Sequence, residues 1–240
     1  MDYILVKGNG PILITAPHII KTNRFYTNKT KIHEAENNIK KILMKLYKKL
    51  GRKGCTIMTW DKDKIEHIIP EDPNYTKNLD TSLWFKYLKK IKKQKHHCVL
   101  HIDLHGMKNK SSYYDIEIGI NALKKSNLKL YKKLKPIIMQ EFDKLDIEYS
   151  LNGKFGGSGK CLPHKTVTDK GILLGFNSIQ LELEEDIRER LVRDRKFFNK
   201  FTNILKNINN GLDRIYKSKT HRIKRSSRKK RTKKRKYFSP

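Results

Sequence analysis

Cysteine is scarce in this 240-residue chain: there are three, at positions 55, 98 and 161, and no Cys-x-x-Cys pair. Widely spaced and odd in number, they exclude a disulfide framework and read as reduced thiols of an intracellular protein. No apolar run reaches the ~18 residues that a membrane span needs, and the first residues lack a signal-peptide pattern. The expectation is a soluble, cytoplasmic protein without a membrane partner. No internal repeat is found. Acid is short too, with 24 Asp and Glu against 55 Lys and Arg, for a net charge of +31. Residues 217–240 hold thirteen Lys or Arg and no acid, which leaves +18 (31 − 13) on the rest. That excess predicts attraction to polyanions or to acidic substrates, mostly without sequence specificity. The stretch 218–240 has too little hydrophobicity to fold alone and reads as a disordered basic tail. Its Arg222–Lys236 run fits a nuclear-localisation or nucleic-acid patch, which leaves a nuclear location open. No aromatic residue precedes Tyr237 there, so base stacking is not suggested.

What is present centres on Cys98–Gly106, where apolar and polar residues alternate strictly from Val99 to His105. That is the period of a strand, with Leu100, Ile102 and Leu104 on one face and His101, Asp103 and His105 on the other. Two imidazoles and a carboxylate on one face of a core strand cost stability unless they are paired or bind a metal. A satisfied core network and a metal site are the two readings. Gly106 suggests that the strand ends there, leaving His105 at the rim where α/β sheets keep their sites.

Around this strand the chain alternates strands with helices, which predicts one α/β domain over 1–217 with a mostly parallel or mixed sheet. Strands are expected at Tyr3–Val6, Ile12–Ala16, Cys55–Thr59, Tyr113–Ile120, Ile147–Leu151 and Ser178–Glu184. A helix is expected from about Ile32 to Leu50, with a seam of Ile32, Ile39, Leu43, Leu46 and Leu50. Glu36 completes that seam, either as a functional carboxylate or as a first-turn acid complementing the helix dipole. Trp60–Asn78 reads as a long surface loop. Further helices are expected from Asp80 or Thr81 to Lys93, over Asn121–Lys144 with a break before Pro136, and from Asp186 towards Tyr216. Asn152–Lys165 is a glycine-rich loop.

His18 at a strand end, Glu36, His105, and Glu182 and Glu184 near another strand end form a constellation. Two His and one carboxylate are the ligand set of a hydrolytic zinc site. Such chemistry also wants a carboxylate that is not a ligand, and Glu182 and Glu184, two apart on one face, both qualify. His33 and Glu34 remain alternatives to Glu36. Gly156–Cys161 imitates a phosphate-binding loop, but Lys154 stands where its first Gly is required and Cys161 replaces Ser/Thr, so nucleotide binding is set aside. That loop reads as a wall of the substrate pocket, with His164 a polar contact.

The ordered segments Ile-Thr-Ala-Pro-His18, His-Ile-Asp-Leu-His105-Gly, Tyr-Asp-Ile-Glu-Ile-Gly119, Asn152-Gly-Lys-Phe-Gly-Gly157 and Ser-Ile-Gln-Leu-Glu182 resemble the motifs of N-formylglutamate amidohydrolases. The resemblance covers residues ~10–200. It implies a zinc-carboxypeptidase-like α/β fold, shared with poly-γ-glutamate hydrolases, and zinc-dependent hydrolysis of an amide in an N-acyl amino acid or peptide. Carried over by position, His18, Glu36 and His105 would hold the Zn2+, and Glu182 would be the general base or acid. His101 and Asp103 would support the ligands from behind. The chain departs from the family where arginines are expected, around Thr59–Tyr75, and has Trp60-Asp61 and Asp72-Pro73-Asn74-Tyr75 instead. Asn74, Lys154, Lys160 and Arg188 are the substitutes to consider for binding substrate. The competing reading is a nucleic-acid-associated protein with an idle hydrolase fold.

Overall fold

In the computed structural model, the described residues are all except 1–2, 26–29, 66–68, 77, 95–98, 110–112, 159–165 and 237–240, with the backbone alone described from 219 to 236. The chain opens with β1 (Ile4–Gly8), a turn through Gly10, and β2 (Ile12–Ala16). A small hairpin follows, β3 (Thr22–Phe25) and β4 (Thr30–His33), and then α1 (Ile39–Leu50). The expected helix from Ile32 therefore starts seven residues late. Asn38 sits in the left-handed region at φ 64° and blocks helix propagation upstream. Ile32 pairs with Asn23 across the hairpin and is 47% exposed, so it never belonged to a buried seam.

β5 (Cys55–Trp60), a single 3-10 turn (Lys62–Lys64) and α2 (Leu83–Gln94) lead to the central strand β6 (Leu100–Gly106), then to β7 (Ile116–Gly119). The expected helix over 121–144 is two, α3 (Asn121–Ser126) and α4 (Leu128–Phe142). The break falls at Asn127, not before Pro136, because Asn127 is extended (φ −148°) and its side chain accepts from Leu130 N to start the second helix. Pro136 is carried inside α4, where burial of Leu130, Leu134, Ile138 and Phe142 offsets the lost hydrogen bond. β8 (Tyr149–Leu151), α5 (Val167–Leu173), β9 (Asn177–Leu183), α6 (Glu185–Arg193) and α7 (Arg195–Lys236) complete the chain. α6 and α7 replace the single helix expected from Asp186. Asp194 between them is extended, and its carboxylate accepts from the amides of Lys196 and Phe197. The backbone of α7 runs on through the basic stretch to Lys236.

The sheet order is β1-β5-β2-β6-β9-β7-β8. β5, β2, β6 and β9 are mutually parallel; β1 is antiparallel to β5, and the parallel pair β7–β8 runs antiparallel to β9. This is the mixed, mostly parallel sheet flanked by helices that the alternation of elements predicts. α1 packs on β2, β5 and β6 with α6 and α7 beside it, while α5 packs on β6 and β9. α5 lies against the face of β6 that carries His101. A Cβ at Gly171 would stand 2.6 Å from His101 Nδ1, so only glycine lets the helix come so near. Burial of β2, β5 and β9 along their whole lengths places the core between these layers and leaves the strand ends as the open edge.

Candidate metal centre and pocket

Three parallel strands, β2, β6 and β9, end side by side, and each delivers a titratable residue. His18 lies two residues beyond β2, and His105 and Glu182 are the next-to-last residues of β6 and β9, paired in register. The crevice outside such carboxyl ends is where open α/β sheets hold ligands. Here it is a cavity of about 380 Å³, walled by His18, His33, Glu36, His105 and Glu182, with Arg24, Asn74, Tyr75, Phe155 and Thr166 around them.

Glu36 reaches this crevice from a loop, not from a helix seam. Its backbone N–H donates to His18 O at 2.8 Å and its Oε2 accepts from Gly106 N at 2.8 Å, so both strand ends position it. Its Oε1 lies 2.9 Å from His18 Nδ1 and 3.7 Å from His105 Nδ1, and the two Nδ1 atoms are 3.0 Å apart. On the far side of each ring stands a carboxylate. His18 Nε2 is 3.0 Å from Asp72 Oδ1, and His105 Nε2 is 3.0 Å from Asp103 Oδ2. The His105 contact is an ion pair and not a hydrogen bond.

Each outer carboxylate is itself held. Asp72 accepts from Arg24 Nε at 2.6 Å and from Asn74 N at 2.9 Å. Asp103 accepts from Thr15 Oγ1 at 2.8 Å and Thr168 Oγ1 at 3.2 Å. Because Thr15 spends its proton on Asp103, it must accept from His101 Nε2 at 2.9 Å, and His101 Nδ1 then accepts from Ser178 Oγ at 2.8 Å. His101 and Asp103 thus form a satisfied network behind His105. With a cation at the two Nδ1 atoms, the remaining ring protons of His18 and His105 would sit on Nε2, facing Asp72 and Asp103.

Two imidazole nitrogens and a carboxylate oxygen converge here, and with the rings deprotonated at Nδ1 they suit a cation. A tetrahedral ion with bonds of about 2.0–2.2 Å needs donor atoms about 3.3–3.6 Å apart; the observed 2.9, 3.0 and 3.7 Å lie outside that range but within about 0.5 Å of it, the tolerance of a ligand set. The residues present therefore fit a Zn2+ with two nitrogens and one carboxylate, its remaining side open to the cavity. A second triad shares two members: His33, one-quarter exposed, has Nε2 at 3.3 Å from Glu36 Oε1, and with His18 and Glu36 its donor atoms lie within 4.8 Å. Glu34 is exposed and pairs with Lys21 at 3.1 Å, so it takes no part.

The electrostatics follow from burial against pairing. Burial alone would lower His18, but the charges of Asp72 and Glu36 override it and raise the imidazole to about 8. Burial opposes the charge on Glu36, yet His18 and the surrounding hydrogen bonds hold it well below the usual carboxylate range. Glu182 goes the other way: burial raises it to about 7, though His105 and the 2.5 Å bond from Gln180 Nε2 favour its anion.

The other site candidates fall as follows. Glu184 is not on the strand face; it is the cap residue of α6, one beyond β9, and does not line the cavity. Arg188 is buried and spends Nη1 on the carbonyls of Met107 (2.7 Å) and Leu183 (2.6 Å), bracing the ends of β6 and β9 from behind instead of reaching substrate. Lys154 is exposed beside Phe155 and stands outside the cavity wall. Asn74 is in the wall, with Oδ1 accepting from Val167 N at 2.8 Å. Lys160, Cys161 and His164 lie outside the described residues. Sequence reasoning missed Asp72 and Arg24. The Asp72-Pro73-Asn74 turn was the one signal, since an Asp accepting from the amide two residues on marks an ordered turn.

No protein-family model and no curated protein matches the chain. Among solved structures it is similar to a bacteriophage poly-gamma-glutamate hydrolase, at 11% identity over 85% of this chain and 86% of that one, with a TM-score of 0.47. It is also similar to N-formylglutamate amidohydrolase from Ralstonia eutropha JMP134, at 14% identity over 91% and 98%, with a TM-score of 0.45. A third is PbaB of Pyrococcus furiosus, an archaeal proteasome activator, at 11% identity over 95% and 100%, with a TM-score of 0.42. The first two are the kinds of enzyme whose motif order the sequence resembles. Hydrolases and a proteasome activator stand together in this set, and each of these scores is below 0.5.

Proposed function

We propose that this protein is a metal-dependent hydrolase of amide bonds, with His18, Glu36 and His105 holding one Zn2+ and Glu182 moving the proton. The observation that carries the reading is the convergence of those three donor atoms within 3.7 Å on a cavity that Glu182 also lines. Bound there, Zn2+ would polarise the scissile carbonyl and bring the pKa of a water to about 7.

Glu182 takes a proton from the attacking water and returns it to the leaving nitrogen. Without a cation, burial raises this carboxyl to about 7, and a bound cation would bring it down from there towards the carboxylate that accepts the water's proton. With the metal at Nδ1, Asp72 at 3.0 Å and Asp103 at 3.0 Å would favour the ring protons of His18 and His105 on the outer nitrogens. Tyr75 and Phe155 narrow the cavity and displace water. Arg24, anchored by Nε on Asp72 and lying 5.1 Å over the Tyr75 ring, is the guanidinium in the wall. It suits the carboxylate of an acidic acyl-amino acid or peptide.

The test is metal analysis together with turnover. Purified protein should carry about one Zn2+, lost in His105→Ala. Glu182→Gln should keep the metal and lose 10²–10⁴-fold in kcat, roughly the worth of a general base. Substrates come from a panel of acylated and peptide-linked glutamate and aspartate, assayed with and without chelator. A folded, metal-free protein that binds nucleic acid and hydrolyses nothing would overturn the reading.

A further inference from the structure

We infer that Lys170 is a positioning residue for this centre: it latches the loop 71–76 onto α5 and thereby sets His18 through Asp72. The inference rests on the reading of His18 as a ligand.

Lys170 is 3% exposed, in the middle of α5. A buried ammonium costs several kcal/mol unless its surroundings compensate. Here Nζ donates to Pro73 O at 2.6 Å and stands 5.0 Å from the centre of the Phe85 ring. Burial lowers its pKa to about 8, against the fields of Asp72, Glu71, Asp169 and Asp103. The carbonyl it holds belongs to the residue directly after Asp72, and the proline ring fixes φ there, so the carbonyl and the Asp72 side chain shift together. A second pin runs beside it, Val167 N donating to Asn74 Oδ1 at 2.8 Å. On its other side the loop is tied to β3, with Asp72 N donating to Asn23 O at 2.8 Å. Asp72 is thus held between a hairpin and a helix, and its Oδ1 is 3.0 Å from His18 Nε2. Ligand geometry tolerates about 0.5 Å of error. A loop without its latch would exceed that.

The experiment is a Zn2+ titration against a competing chromophoric chelator, on the full chain. Lys170→Met keeps the stem that packs on Phe85 and removes the donor. Losing an outer partner of a ligand costs 10–100-fold in metal affinity, and Lys170 acts one contact further out, so about a tenfold loss is expected. Leu212→Ala, a core truncation on α7, lowers stability without touching the loop and is expected to leave the affinity unchanged. In wild-type protein, Zn2+ is expected to slow amide exchange at 72–76 and 167–173 together, a readout that needs no variant. Wild-type affinity in Lys170→Met, an equal loss in Leu212→Ala, or protection that omits 167–173 overturns the inference while leaving the centre intact. A wild-type chain that takes up no Zn2+ overturns the centre and this inference with it.

Discussion

His101 and His18 are both buried imidazoles, yet burial has opposite outcomes for them. His18 has two carboxylates against its ring and is raised to about 8, whereas His101 meets hydroxyls, and burial lowers it to about 4. A base whose folded pKa lies below its unfolded value of about 6.5 binds fewer protons folded than unfolded between those values. Stability from His101 is therefore whole above about pH 6.5 and declines as pH falls towards 4. His101→Asn removes that dependence. Its deficit against wild type in urea unfolding should be largest near pH 7.5 and shrink by about 2–3 kcal/mol at pH 4.5. A deficit constant with pH would show that His101 takes up its proton equally in the folded and unfolded states. The same scale explains why Asp72 and Arg24 escaped sequence reading. Asp72 is 54 positions from His18 and 48 from Arg24, and no local pattern announces such pairs.

At the scale of elements, period and turn chemistry carried most of the architecture. Ile12–Ala16 is a strand with the expected bounds, and β6 alternates as its sequence alternates. The failures share a cause. Ile32 fits a helical seam on paper, but Thr22–Phe25 offers it a strand partner and Asn38 stops the helix behind it. Glu36 was singled out as a seam carboxylate, yet it precedes the helix and reaches the crevice from a loop. α5 shows how closely an element can be specified by one small residue. A Cβ at Gly171 would stand 2.4 Å from Ser178 Oγ as well as 2.6 Å from His101 Nδ1. Gly171→Ala must lift the helix off the sheet or displace that network, and overpacking of this kind costs about 1–3 kcal/mol. A denaturation midpoint equal to wild type would show that α5 has slack the contacts do not suggest.

Over the whole molecule, charge is the unbalanced quantity. No described helix is long and apolar enough to cross a membrane, and the excess of +31 is spread over body and C-terminus. Deleting residues 218–240 removes twelve of the thirteen cations counted from 217 on, since Lys217 stays (13 − 1). If that segment contacts phosphates, the truncated chain should bind duplex DNA with a shallower dependence on salt, because each neutralised phosphate contributes about 0.9 to the slope. Zn2+ content should not change. An unaltered slope would place the polyanion contacts on the body instead.

The sequence by itself determined most strands of the main sheet and the apolar faces of the longer helices, because hydrophobic period is a local property, but not the β3–β4 hairpin or α5. Tertiary structure decided which carboxylate backs which histidine, that Glu184 and Arg188 turn away from the cavity while Arg24 enters it, and that a lysine on α5 braces the loop behind His18. Those choices depend on distances between strand ends and loops that lie far apart along the chain, and only the packed sheet sets them.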